Sequence, residues 1–229
     1  MRISIVDDEK CQPYILLKSE NQGRLKGLFQ SIPYSYSSNA QQLLRSSIIR
    51  LEFIDSKAEL ELLISSGVPI KAGIYKDRLH INLYDKNNNL LDERQLDIDT
   101  DIIPRTNISV LGYNTSSNTI SLGELTPRKT YSMLPSLQVV TNSDVKLRVS
   151  SENRGKLVHS IYKNRYAIHY NLDLDGNEFH LNQSLEKIYS YDGQTMLLLP
   201  LRIHLEDFKD QAAGEYSDVI RFQISPLNY

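Results

Sequence analysis

Apolar and polar residues alternate along most of this chain with a spacing of two, in short runs that recur roughly every 8 to 15 residues between Asn, Asp, Ser and Gly clusters. A spacing of two puts every second side chain on one face of an extended strand, whereas a helix face repeats at 3.6. The clearest runs are Leu79-Ile81-Leu83, Val145-Leu147-Val149, Tyr166-Ile168-Tyr170-Leu172, Leu197-Leu199-Leu201-Ile203-Leu205 and Ile220-Phe222-Ile224. The pattern predicts an all-β chain of immunoglobulin-like β-sandwiches. Residues 39–45, NAQQLLR, hold good helix formers and predict one turn of helix inside a connection. The apolar run at 196–201 reads as a buried strand, far below the roughly 20 residues of a membrane-spanning helix.

The chain also repeats itself, and a repeat decides architecture before any local reading does. Residues 19–25 read SENQGRL and residues 151–157 read SENRGKL, each behind an apolar strand. Downstream, Ile32-Pro33-Tyr34-Ser35-Tyr36 matches Tyr166-Ala167-Ile168-His169-Tyr170, and residues 72–77, AGIYKD, answer residues 213–218, AGEYSD. Matched blocks in one order imply two tandem copies of a domain, over residues 1–100 and 101–229, with the boundary near 99–104, where a charged stretch meets Pro104. Gly23 and Gly155, and Gly73 and Gly214, fit turns that need positive φ. Tyr75 and Tyr216 fit corner residues whose hydroxyls bond backbone. In the first copy the 79–84 strand meets a polar turn at 85–89 and then residues 90–98, which can return as its neighbour. The second copy runs only five residues past Ile224, so its sheet is expected to keep an open edge over an apolar groove.

Composition narrows the function. The chain has 229 residues, 40% hydrophobic and 24% charged, enough for two cores of about 100 residues each. A net charge of -2 and a pI of about 6.2 supply no general attraction to nucleic acid or anionic lipid. Cys11 is the single cysteine, so no disulfide forms within the chain; it reads as a half-buried strand residue. The opening MRISIVDDEKCQ has acids where a signal peptide needs an apolar stretch, so either the protein is cytoplasmic or Met1 is not the native start. Asp97, Asp99 and Asp101 alternate as a solvated strand face, and Asp173 to Glu178, DLDGNE, reads as a hairpin with Asp-Gly at its tip. His80, His159, His169, His180 and His204 show no metal-ligand spacing and read as exposed strand residues. No nucleophile elbow, phosphate loop or dinucleotide fingerprint occurs, so the reading is a non-enzyme with no cofactor and no metal.

Residues 213–224, AGEYSDVIRFQI, resemble the closing signature of the spore coat protein U family, which includes pilins of archaic chaperone-usher fimbriae. Residues 120–125, ISLGEL, look like that family's early strand, with Leu122 in the aromatic place of its F-G-x-L pattern. The likeness spans about residues 105–227 and, more weakly, 1–84. Family pilins commonly carry a disulfide in the domain, which the second copy lacks, and the strands matching 107–126 have no counterpart in the first copy. The resemblance implies pilin-like sandwiches, the second lacking its last strand and completed by donor-strand addition. The groove would be lined by Ile108, Val110, Val219, Ile220, Phe222 and Ile224. The implied partners are a periplasmic chaperone, an outer-membrane usher and a neighbouring pilin subunit, with the fimbria at the cell surface and a host or abiotic surface as ligand. A self-completed front domain and an incomplete rear one match a tip adhesin. Candidate adhesive loops are Ile32, Pro33, Tyr34 and Tyr36, and Val68, Pro69 and Ile70. The competing reading is a self-sufficient two-domain sandwich that binds a protein or glycan without forming fibres.

Overall fold

The computed structural model describes residues 2–4, 12–37, 41–45, 48–54, 57–64, 70–113, 115 and 117–227. The fold is all-β, and the chain divides into two compact units, Met1–Ile103 and Pro104–Tyr229. The first unit holds β1 (Arg2–Ser4), β2 (Tyr14–Ser19), β3 (Arg24–Lys26), β4 (Ser31–Ser37), β5 (Gln41–Arg45), β6 (Ile48–Glu52), β7 (Lys57–Glu59), β8 (Glu61–Ile64), β9 (Gly73–Tyr84) and β10 (Leu90–Ile102). Residues 100–102, placed at the domain boundary by the sequence, complete β10. Strand β9 is shared: its second half pairs antiparallel with β2, while Lys76 in its first half pairs with Lys26 of β3. Alternation decides which residues enter the core, so Ile15, Leu17, Leu25, Ile32, Tyr34, Ile49, Leu51, Tyr75 and Leu79 are buried together.

The second unit holds β11 (Thr106–Val110), β12 (Thr130–Tyr131), β13 (Leu137–Thr141), β14 (Val145–Ser151), β15 (Lys156–His159), β16 (Lys163–Leu174), β17 (Asn177–Phe179), β18 (Leu185–Tyr189), β19 (Met196–Leu199), β20 (Leu201–Leu205), β21 (Tyr216–Ser217) and β22 (Ile220–Pro226). Its sheets run β11-β13-β19, β12-β20-β16-β15-β21 and β18-β14-β22. Val145, Leu147, Val149, Ile168, Tyr170, Leu172, Leu174, Leu199 and Leu205 fill its core. Asp175-Gly176 forms the expected two-residue hairpin between β16 and β17, both residues at positive φ (53° and 74°).

Several sequence expectations are corrected. Residues 41–45 are strand β5, paired antiparallel with β6, not a helical turn; seven residues cannot hold a helix when a partner edge is at hand. The run at 197–205 is two strands, because Pro200 breaks the ladder: β19 pairs with β13, and β20 with β12 and β16. Leu198 and Met196 accordingly stand on an outer face, 47% and 46% exposed. Residues 120–125 form no strand; Leu122 and Leu125 pack on the core from an irregular segment. His159 is 1% exposed and not on a solvated face: its Nδ1 accepts the amides of Ile161 and Tyr162, and Nε2 lies 3.2 Å from the carbonyl of Ala213. His169 and His204 are exposed, and Asp97, Asp99 and Asp101 likewise face solvent, Asp97 paired with Arg78. Cys11 lies outside the described residues.

A candidate strand-docking edge

Both units build the same polar knot from the repeated residues. In the first, the Asp77 carboxylate accepts from Ser19 Oγ (2.6 Å), the Tyr34 hydroxyl, and the amides of Asn21 (3.0 Å) and Arg78 (2.8 Å). In the second, Asp218 accepts from Ser151 Oγ, the Tyr170 hydroxyl (2.6 Å), and the amides of Asn153 (3.0 Å) and Val219 (2.7 Å). The amides of Gly23 and Gly155 donate to the respective serine oxygens, at 2.6 and 2.7 Å. Those turns need two successive residues at positive φ, Gln22-Gly23 (59°, 75°) and Arg154-Gly155 (57°, 74°), which explains the glycine in each copy. Tyr75 and Tyr216 donate their hydroxyls to the carbonyls four residues earlier, Lys71 and Ala212, as the corner reading expects.

The knot also sets the correspondence between copies. Tyr34 and Tyr170 both bond the aspartate, and their amides donate to the carbonyls of Gly23 and Gly155, so Tyr34 matches Tyr170. The sequence match had put Tyr36 there, two residues out of step. Alternation survives a slip of two, so pattern alone could not detect it. Burial pushes the hydroxyls of Tyr34 and Tyr170 well above the ordinary tyrosine range, and the adjoining carboxylates add to the effect.

The copies differ along one edge. In the first unit β9 is flanked on both sides: β2 lies on one, and β10 runs antiparallel along the other from Leu90 opposite Tyr84 to Ile102 opposite Gly73. This is the return strand foreseen from the sequence. Leu96, Ile98 and Ile102 pack on the core from β10. In the second unit the matching stretch is β21 and β22. Strand β22 pairs with β14, and β21 with β15, on one side only among the described residues. Strand β11 passes within 8 Å (Cα–Cα) of β22 without a ladder between them.

Burial records the difference residue by residue. Ser19, Tyr75, Asp77 and Leu79 are 1%, 3%, 3% and 0% exposed, while their counterparts Ser151, Tyr216, Asp218 and Ile220 are all half-buried. In the first unit Leu96 stands opposite Leu79 and Ile98 opposite Asp77, a cover that no strand gives the second unit among the described residues. Ile108, Val110, Ile220, Phe222 and Ile224 are half-buried and pack on the second core. Val219 is different: its side chain is 49% exposed, and its backbone fixes the kink between β21 and β22 by donating to Asp218 and accepting from the Glu152 amide.

The other candidates map elsewhere. Ile32 and Tyr34 are core residues of β4, 4% and 8% exposed, and Tyr36 is half-buried with its ring edge-on to Tyr34 at 5.3 Å. Pro33 faces solvent, Ile70 packs on the core, and Val68 and Pro69 lie outside the described residues. The tip of the β3–β4 hairpin was missed. Leu28 and Phe29 are 89% and 71% exposed there, with the Lys71 ammonium 4.4 Å from the Phe29 ring centre. Its signal in the sequence was an apolar pair inside a turn, between Gly27 and Gln30. Among the described residues no group of three or more His, Cys, Asp or Glu is placed to hold a metal ion. Among the described residues no helix is long and apolar enough to cross a membrane.

No family model matches the chain, and no curated protein matches it. Among solved structures, one similar chain comes from a chaperone–tip adhesin complex vital for activation of CFA/I fimbriae biogenesis. It is 15% identical over 93% of this chain and 73% of its own, with a TM-score of 0.39. Another comes from the CsuC–CsuE chaperone–tip adhesion subunit pre-assembly complex of the archaic chaperone-usher Csu pili of Acinetobacter baumannii. It is 9% identical over 93% of this chain and 84% of its own, with a TM-score of 0.39.

Proposed function

We propose that this protein is a non-catalytic subunit of a bacterial chaperone-usher fimbria, a tip adhesin whose second domain is completed by a strand from a neighbouring subunit. The observation that carries the reading is the contrast between two copies of one domain. The first has β10 on β9 and buries Asp77 and Leu79, whereas the second leaves the matching edge one-sided, with Asp218 and Ile220 half-exposed. An unpaired edge beside half-exposed core residues is a template for pairing with another chain. Addition of an extended strand satisfies both its backbone groups and its apolar seats. The sequence resemblance to the spore coat protein U family at residues 213–224 supports the same reading.

In this account the chaperone holds the edge during transit through the periplasm, the usher exchanges it for the next subunit, and the finished fibre stands on the cell surface. The first domain, which supplies its own last strand, carries the contacts with a host or abiotic surface. Among the described residues of that domain, Leu28 and Phe29 are the most exposed large apolar side chains. The test is periplasmic expression of the full chain with and without a co-expressed periplasmic chaperone of the chaperone-usher type. A soluble one-to-one complex with the chaperone, and a lower soluble yield of a low-melting chain without it, is the expected result. A soluble monomer in both cases, with no complex, would replace the fimbrial reading with a free-standing binding sandwich.

A further inference from the structure

The open edge has a direction, a length and a register, and all three can be read from this chain, because β10 already occupies the equivalent edge in the first domain. The shared knot equates Tyr75 with Tyr216, Asp77 with Asp218 and, along the strand, Leu79 with Ile220, Ile81 with Phe222 and Leu83 with Ile224. Strand β10 covers β9 over twelve residues, 73–84, antiparallel, and crosses from the half paired with β2 to the half paired with β3. Carried over, the footprint on the second domain is residues 214–225, which is β21 and β22 together and not β22 alone.

The apolar contacts of β10 are unevenly spread. Leu96, Ile98 and Ile102 face the core opposite Leu79, Asp77 and Gly73, while residues 90–95, opposite 80–84, are exposed. The loss of burial in the second domain falls on the same half. Tyr216, Asp218 and Ile220 are less covered than Tyr75, Asp77 and Leu79, whereas Phe222 and Ile224 are half-buried just as Ile81 and Leu83 are. Two independent observations, where the occupant of one edge puts its apolar residues and where the other edge lacks cover, thus point to residues 214–220.

Building on the open-edge reading, we infer that the partner is an extended peptide segment running antiparallel to β22. Its anchoring apolar side chains sit opposite Ile220, Asp218 and Gly214 in the spacing of Leu96, Ile98 and Ile102, and its positions opposite Phe222 and Ile224 tolerate polar residues. The anchor opposite Asp218 seals the knot of Ser151, Tyr170 and Asp218 from water, as Ile98 does for Asp77. A one-residue slip would turn all three anchors to solvent, so the register is specified.

The experiment grafts residues 85–103 onto the full chain directly behind Ser225, replacing 226–229, so that the turn and β10 follow β22 as they follow β9. A second variant carries one extra residue in the grafted turn, and a third carries Leu96→Asp and Ile98→Asp within the graft. A free peptide of residues 90–103 added to the ungrafted chain checks the same register should the graft disturb folding. The in-register graft and the peptide should raise the melting temperature of the second domain by at least about 10 °C and slow amide exchange at residues 216–220, with the slipped and aspartate variants giving neither. Equal effects from in-register and slipped grafts would overturn the register. If neither graft nor peptide acts while an N-terminal extension peptide of a neighbouring subunit does, the register is wrong and the open edge stands. If that peptide also fails, the open edge itself is refuted.

Discussion

Replacing Asp77 with Asn should destabilise the first domain far more than Asp218→Asn destabilises the second, although the two carboxylates hold matching sets of partners. Each accepts from one serine hydroxyl, one tyrosine hydroxyl and two backbone amides. An Asn side chain offers one acceptor oxygen and turns an NH2 group toward donors, so about two of the four bonds are lost or made repulsive. Hydrogen bonds to a charged group contribute about 1.5–3 kcal/mol each where water cannot replace them, which gives about 3–6 kcal/mol for Asp77, at 3% exposure beneath Ile98. Asp218 is half-buried, and among the described residues no strand pairs along its outer side, so water substitutes, and about 1–3 kcal/mol is expected. Urea unfolding of the full chain, with each transition assigned to its domain by hydrogen exchange, measures both. Equal costs, or a cost for Asp77→Asn below about 1 kcal/mol, would refute the claim that β10 seals the knot.

The remaining predictions concern the knot, one glycine and one ion pair. Tyr34→Phe should cost about 1.5–3 kcal/mol and couple to Asp77→Asn in a double-mutant cycle, since both remove the same charge-assisted bond. Because Tyr34 and Tyr170 hold their protons more tightly folded than unfolded, their contribution is complete below pH 10 and is lost as pH rises beyond it. A spectrophotometric titration should therefore show Tyr34 and Tyr170 ionising only with unfolding, with Tyr34→Phe and Tyr170→Phe each removing one such late-titrating group. Gly214→Ala should destabilise the second domain by about 2–4 kcal/mol. Its φ is 148°, and a Cβ there would lie 2.4 Å from His159 Nε2; the melting temperature reports the loss. Arg78→Ala, which breaks the exposed pair with Asp97 on β10, should leave the urea midpoint of the first domain nearly unchanged, because water and salt screen the pair.

Much of this fold was legible because period-two alternation and a sequence repeat are both local signals. Leu147, Val149, Ile168 and Leu172 sit where alternation put them, and SENQGRL and SENRGKL form the same turn. What failed was information that only tertiary structure carries. Residues 41–45 prefer helix alone but pair with β6, and Pro200 moves one apolar run between two sheets. The two-residue slip between Tyr34 and Tyr36 could be resolved only by their hydrogen-bond partners. The return strand in the first copy was visible as an alternating segment behind a polar turn. The long-range bonds of Asp77 and Asp218 could not, since each reaches back more than 50 residues to its serine.

The most direct measurement is the melting temperature of the full chain, alone and with synthetic N-terminal extensions of the neighbouring pilin subunits. Seating three apolar side chains at roughly 1.5–3 kcal/mol each gives about 4.5–9 kcal/mol before ordering costs. Even a net few kcal/mol moves a domain of this size by about 10 °C or more. The account predicts such a rise, confined to the second domain, with one of the extensions. A sharp, high melt of both domains that no extension alters would contradict it.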